Sequence, residues 1–186
     1  MTKSFSVTKN GVDLDPSCYT WDEKTRSFST TENGLVIEFS GWHDVTFKTG
    51  GGCTFSTSHN CTFDAGDNCT FDTGYGCTFN TNSYCTFRTG SCCTFTTGSD
   101  CNFRTGSCCN FRTGSRCTFD TGSDCVIVRR DIFEVIQPEP NVTIKLNEYG
   151  IKGYKIIENK HVITIDGKAI ELSQESFESL KNQLCS

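Results

Sequence analysis

The chain has 186 residues, a net charge of −5 and 21% charged side chains, long enough for one domain with its own core and without the basic excess that would suggest a nucleic-acid partner. No run of about 18 apolar residues occurs, so no membrane span is expected. Phe occurs 15 times and Cys 14 times against one Met, a bias that the spacing of these residues explains.

The N-terminus, Met1 to Ser6, lacks the apolar stretch of a secretory signal, which implies a cytoplasmic or virion-associated protein. Phe5-Ser6-Val7 and Val12-Asp13-Leu14 flank Asn10-Gly11, a hairpin turn signal. Residues 1–36 are therefore expected to form an N-terminal β cap, because a solenoid leaves a raw sheet edge at each end.

Read in eights from Cys53, the chain runs CTFSTSHN, CTFDAGDN, CTFDTGYG, CTFNTNSY, CTFRTGSC, CTFTTGSD, CNFRTGSC, CNFRTGSR, CTFDTGSD and CVIVRRDI. Ten cysteines, Cys53 to Cys125, share one register. Such self-similarity marks a repeat architecture and overrides local structure readings. Val45-Thr46-Phe47 and Ile37-Glu38-Phe39 keep the step backwards, and Phe133-Glu134-Val135 keeps it forwards. About thirteen octads then span residues 37–140.

Cys, Phe and Thr at positions 1, 3 and 5 alternate with outward residues at positions 2 and 4, the period of a half-buried strand. Position 6 is Gly in eight of ten octads from Gly50 to Gly122, and a positive-φ corner is expected there, with Ser58 a mild misfit. Eight residues are too few to close a coil around Phe, so two octads make one coil of 16 residues. Cys92 and Cys108, 16 apart, carry the same period. A rise of about 4.8 Å per coil makes the core about 30 Å long. Eleven octad Phe residues, Phe39 to Phe119, should form two facing columns, each contributing about 1.5–3 kcal/mol by burial. Each Cys should face the position-5 Thr of the opposite strand.

The run Gly74-Tyr75-Gly76-Cys77-Thr78-Phe79-Asn80-Thr81 resembles the A-G-Y-G-S-T-x-T repeats of bacterial ice nucleation proteins, with Cys in place of Ser and Phe at the next inward position. The likeness covers the octads, about half the chain. The whole, with its tail Cys125-Val126-Ile127-Val128-Arg129-Arg130, also looks like uncharacterised octapeptide-repeat proteins of phages and bacteria. The resemblance implies a solenoid and assigns no activity.

Residues 141–186 read as a small α/β cap. Strand patterns occur at Val142-Thr143-Ile144, at Tyr154-Lys155-Ile156, and at Val162 to Ile165 and Ala169 to Leu172 around Asp166-Gly167. A helix is expected over residues 173–185, with Ser173 as N-cap, Glu175 in the first turn and Phe177, Leu180 and Leu184 on one face. A separate docking module is the alternative.

The cysteine ladder is read as small apolar core filler. Disulfides fit the Cα spacing but not side chains that point the same way, and zinc needs clustered pairs. Cys92 and Cys108 fall at turns, are expected to be exposed, and could bridge adjacent coils. His43, His59 and His161 lie apart in sequence, and His59 reads as a solvated turn residue. No catalytic triad, metalloprotease motif or phosphate loop occurs, and Asp64 and Asp72 should point outward from opposite faces. Neither an enzyme nor a cofactor is expected.

Ice binding would need outward Thr at positions 2 and 4. Position 2 is mostly Thr, whereas position 4 reads Ser56, Asp64, Asp72, Asn80, Arg88, Thr96, Arg104, Arg112 and Asp120. Thr94 and Thr96 make the one clean pair. The position-4 arginines, expected to form one column with repeat spacing, and the outward Val126 and Val128 are the candidate partner contacts: Arg88, Arg104, Arg112, Val126 and Val128. The expected molecule is an all-β, two-sheet β-solenoid acting as a non-enzymatic scaffold, with self-association or an unknown protein partner. An ice-binding protein and a glycan-binding adhesin are the alternatives.

Overall fold

The computed structural model describes residues 5–157, 161–165, 168–172 and 174–184. The chain divides into two units, Met1–Lys155 and Ile156–Ser186. The first unit opens with β1 (Ser6–Lys9), β2 (Val12–Asp13), β3 (Thr20–Asp22), β4 (Ser27–Ser29), β5 (Leu35–Phe39) and β6 (Thr46–Lys48). The cysteine octads supply β7 (Thr54–Thr57), β8 (Thr62–Ala65), β9 (Thr70–Asp72), β10 (Thr78–Thr81), β11 (Thr86–Arg88) and β12 (Thr94–Thr96). They continue as β13 (Asn102–Thr105), β14 (Asn110–Thr113), β15 (Thr118–Thr121) and β16 (Val126–Arg129). β17 (Val135–Ile136), β18 (Ile144–Leu146) and β19 (Tyr154–Ile156) follow.

Strands alternate between two sheets. Sheet A runs β19-β18-β15-β13-β11-β9-β7-β5-β1-β2, and sheet B runs β17-β16-β14-β12-β10-β8-β6-β4-β3. From β6 to β16 the octad strands of each sheet pair in parallel, 16 residues apart and in register: Phe87 with Phe71 and Phe103, Phe95 with Phe79 and Phe111. Ile37-Glu38-Phe39 does not keep this step: Ile37 pairs with Phe55, 18 residues on, so Ile37 takes the Phe position, Glu38 stands at position 4 and Phe39 pairs with Thr57. The fold is a two-sheet β-solenoid of about six turns with 16 residues per turn. Cys53 therefore lies one coil from Cys69, in the same sheet, and Cys61 belongs to the other.

The 16-residue coil follows from side-chain volume. Phe rings stack along each sheet, as Phe87 on Phe103 at 4.9 Å and 2°. Across the two sheets they meet edge to face, as Phe87 against Phe95 at 5.2 Å and 77°. Both geometries suit the ring quadrupole. All ten ladder cysteines are buried beside them. The Cys85 thiol lies against the Thr81 hydroxyl, and Cys93 against Thr89, so each cysteine faces position 5 of the preceding strand. The thiols also have backbone partners: the Cys101 thiol reaches the Ser99 carbonyl at 3.5 Å and the Asn82 carbonyl at 3.6 Å, while the Cys101 N–H donates to Cys117 Sγ at 3.4 Å.

The corners differ from the sequence expectation. Position-6 glycines do not take positive φ; the left-handed residue is position 8, from Gly52 and Asn60 through Cys92, Asp100, Cys108 and Arg116 to Asp124. Position 6 is Gly for lack of room. The Gly106 N–H donates to the Gly90 carbonyl one coil away, and a Cβ on Gly106 would stand 2.3 Å from Ser91 Oγ and 2.9 Å from Ser91 N. Coil-to-coil backbone bonding thus continues round the corner, and the glycine is selected by close approach.

The ends are capped by antiparallel strands. β1 pairs with both β2 and β5, with Asn10 and Gly11 at positive φ in the hairpin turn. β17 pairs antiparallel with β16, and β18 antiparallel with β15. Phe133-Glu134-Val135 is therefore not another rung: parallel pairing ends at β16, and Phe133 is exposed with φ 52°. At the other end parallel pairing reaches back to β4, which pairs with β6. The second unit holds the hairpin β20 (His161–Ile165) and β21 (Lys168–Leu172), and α1 (Gln174–Leu184), which contacts β21. Ser173 and the Asp166-Gly167 turn lie outside the described residues. Among the described residues no helix is long and apolar enough to cross a membrane.

Candidate interaction faces

Alternation along each strand turns positions 2 and 4 outward, so each sheet presents two columns of side chains. On sheet A position 4 runs Glu38, Ser56, Asp72, Arg88, Arg104, Asp120. On sheet B it runs Lys48, Asp64, Asn80, Thr96, Arg112, Val128. Asp64 and Asp72 stand on opposite faces, as expected.

The expected arginine column is split. Arg88 and Arg104 are neighbours on sheet A, whereas Arg112 lies on sheet B with Val126 and Val128. The reason is parity: consecutive octads alternate sheets, and Arg112 falls in an octad of the other parity. On sheet A the like charges are bracketed by acids, with Asp72 beside Arg88 and Asp120 3.5 Å from Arg104. That exposed pair contributes at most about 1 kcal/mol.

Sheet B changes character along its length. Its outward pairs are Thr46 with Lys48, Thr62 with Asp64, Thr78 with Asn80 and Thr94 with Thr96, then Asn110 with Arg112 and Val126 with Val128. Beyond them Val135, paired with Val128, is 63% exposed. Val126 and Val128 are half-buried, and together with Thr94, Thr96 and Arg112 they line a shallow groove. The Thr column is regular, but Asp64, Asn80 and Lys48 interrupt its partner column.

Two corner lines complete the surface. One carries His43, His59 and Tyr75 at position 7, with rings stacked at 5.1 and 4.9 Å. His59 is half-buried in this stack instead of solvated. The signal was present in the sequence, since these residues are 16 apart. His43 Nδ1 lies 2.6 Å from Asp44, and this contact holds the Asp44 carboxyl below its usual range. Where position 7 is Ser, its hydroxyl takes the N–H of the serine one coil on, as Ser91 Oγ from Ser107 at 3.1 Å and Ser107 Oγ from Ser123 at 3.1 Å.

On the other corner Arg116 donates to both Asp100 oxygens, at 2.8 and 2.6 Å, and to Glu148 at 3.1 Å. Asp100 is held below its usual range by that contact. Position 8 of the first corner line carries Cys92 and Cys108, both exposed. Every described cysteine is a free thiol.

Sequence reasoning missed Arg129. Its side chain is fully buried and held by Asp131, at 3.2 and 2.6 Å, by Glu134 at 3.6 Å and by the Ile151 and Glu148 carbonyls. It pins the loops that follow the last rung. Among the described residues no group of three or more His, Cys, Asp or Glu is placed to hold a metal ion. The chain matches no family model, no curated protein and no solved structure.

Proposed function

We propose that this protein is a rigid, non-enzymatic scaffold that works through protein–protein contact, and that sheet B is the contact face, with a second copy of the chain as its partner. The observation that carries the reading is the change along sheet B from threonine and charge to Val126, Val128 and Val135. Apolar outward residues at neighbouring rungs, beside cysteine octads whose other outward residues are polar, mark an interaction site. Charge supplies the register. Laying two copies antiparallel, with the twofold axis between the Asn80 and Thr96 rungs, places Asp64 of one copy opposite Arg112 of the other. The same register puts the Lys48 stem over Val128, where its methylenes cover apolar surface while the ammonium reaches water. Arg88 and Arg104, on the other sheet, lie outside this contact.

Light scattering tests the reading. Wild type should exceed monomer mass at high micromolar concentration in low salt. Val128→Asp and Arg112→Glu should each return it to monomer, and Arg112→Asp combined with Asp64→Arg should restore association. A monomeric wild type under those conditions removes the second copy as partner. Ice binding is the second reading, favoured by the in-register column Thr46, Thr62, Thr78, Thr94 and opposed by the charges beside it. A thermal-hysteresis measurement on wild type decides it.

A further inference from the structure

We propose that Cys92 and Cys108 form a two-thiolate site for a soft d10 cation such as Cu(I), held linearly between adjacent coils. Both thiols are exposed at position 8 of the same corner line, one coil apart. Both residues adopt left-handed backbone, with φ of 60° and 59°. The other described residues of that line are Asp44, Asn60, Gly76 and Asp124, the types that tolerate this conformation. Tyr84 and Arg116 take the same left-handed bend at position 8 of the other corner line, so the corner imposes it whatever the side chain, and what distinguishes this line is two exposed thiols on successive coils.

Distance selects the chemistry. Equivalent atoms on successive coils are separated by the coil rise, which the rings at this height measure at 4.9 Å for Phe87 and Phe103 and 4.7 Å for Phe95 and Phe111. A disulfide needs Cβ atoms about 3.5–4.5 Å apart, closer than a pure translation along the coil allows. Two bonds of zinc–thiolate length, about 2.3 Å, in a line span about 4.6 Å, close to the rise. Thiolates are the ligands that select Cu(I). On binding, each thiol loses its proton to solvent and each sulfur forms one bond to the ion, with no change of oxidation state. Because each thiol must give up its proton to bind, loading should weaken as pH falls. The ten ladder thiols are buried in the core and do not compete while the chain is folded.

The test is anaerobic titration of the full chain with Cu(I) against a chromophoric chelator, with native mass spectrometry for stoichiometry. Asn is the replacement of choice because it suits the left-handed corner, so Cys92→Asn and Cys108→Asn should fold. Wild type should hold one equivalent per chain, and each single variant should lose it. The exposed thiol of Cys18 stays in every variant as the lone-thiol control. Equal uptake by wild type and the double variant, or retention by either single variant, overturns the proposal. So does a Cys92–Cys108 disulfide formed readily under mild oxidation, because the coil geometry would then not be what selects the ligand. Zn(II), which prefers four ligands, should bind no more tightly to wild type than to the double variant.

Discussion

Glycine and cysteine in this repeat are each held to a narrow physical requirement. Gly106 has no room for a Cβ, whereas Gly41 has nothing within 4 Å of where one would stand. Gly106→Ala should cost about 1–3 kcal/mol by overpacking, and Gly41→Ala should be neutral or slightly stabilising. Urea denaturation midpoints of the two variants compare them directly. Cys85→Ala removes a buried sulfur that donates to the Gly66 and Ser83 carbonyls and should cost about 1–2 kcal/mol. Arg129 is the costliest polar residue to change. Arg129→Met leaves Asp131, itself 5% exposed at the side chain, buried without its cation, and a loss of about 3–5 kcal/mol is expected from calorimetry or denaturation.

At the scale of strands and corners, stability comes from repetition along the coil axis. Each Phe touches rings above, below and across, so removing one opens contacts in three directions. The Arg116 corner adds an electrostatic tie from the Asp100 rung to Glu148, in the segment between β18 and β19. Because the Asp100 pKa is lowered in the folded chain by Arg116, its contribution is present above the unfolded value of about 3.9 and is lost as pH falls through the folded value. Arg116→Gln should therefore be less stable than wild type at pH 7. The gap should close as the medium is taken below about pH 4. Denaturant midpoints of both proteins at neutral and acid pH check the sign: a gap that widens in acid would show that Arg116 acts on something other than Asp100.

At the scale of the whole molecule, the proposed contact is a weak one made of a few valines and one charge pair repeated by symmetry. Exposed ion pairs give about 0–1 kcal/mol each and are screened by salt, so the apolar part of sheet B must carry the durability. Association stabilises the folded chain by mass action. The melting temperature of wild type should therefore rise with protein concentration in low salt, less so in high salt, and not at all for Val128→Asp. A melting temperature independent of concentration in wild type would argue that sheet B faces solvent or a foreign partner.

The sequence by itself determined the octad, the pairing of octads into a 16-residue coil, and the inward Cys, Phe and Thr. A translational repeat places every residue among copies of the same neighbours, so a period read from the chain is a contact map in advance. The split of Arg88 and Arg104 from Arg112, and the stacking of His43, His59 and Tyr75, were legible in the same period, since residues 16 apart share a line and residues 8 apart do not. Tertiary structure decided the corners and the ends. Which corner residue takes positive φ depends on how the backbone turns between sheets: the crowding that demands Gly106 comes from Ser91, one coil away, and leaves position 8 to take the left-handed bend. The burial of Arg129 comes from loops 131–134 and 148–151 folding over the last rung. That contact occurs once, so no period announces it.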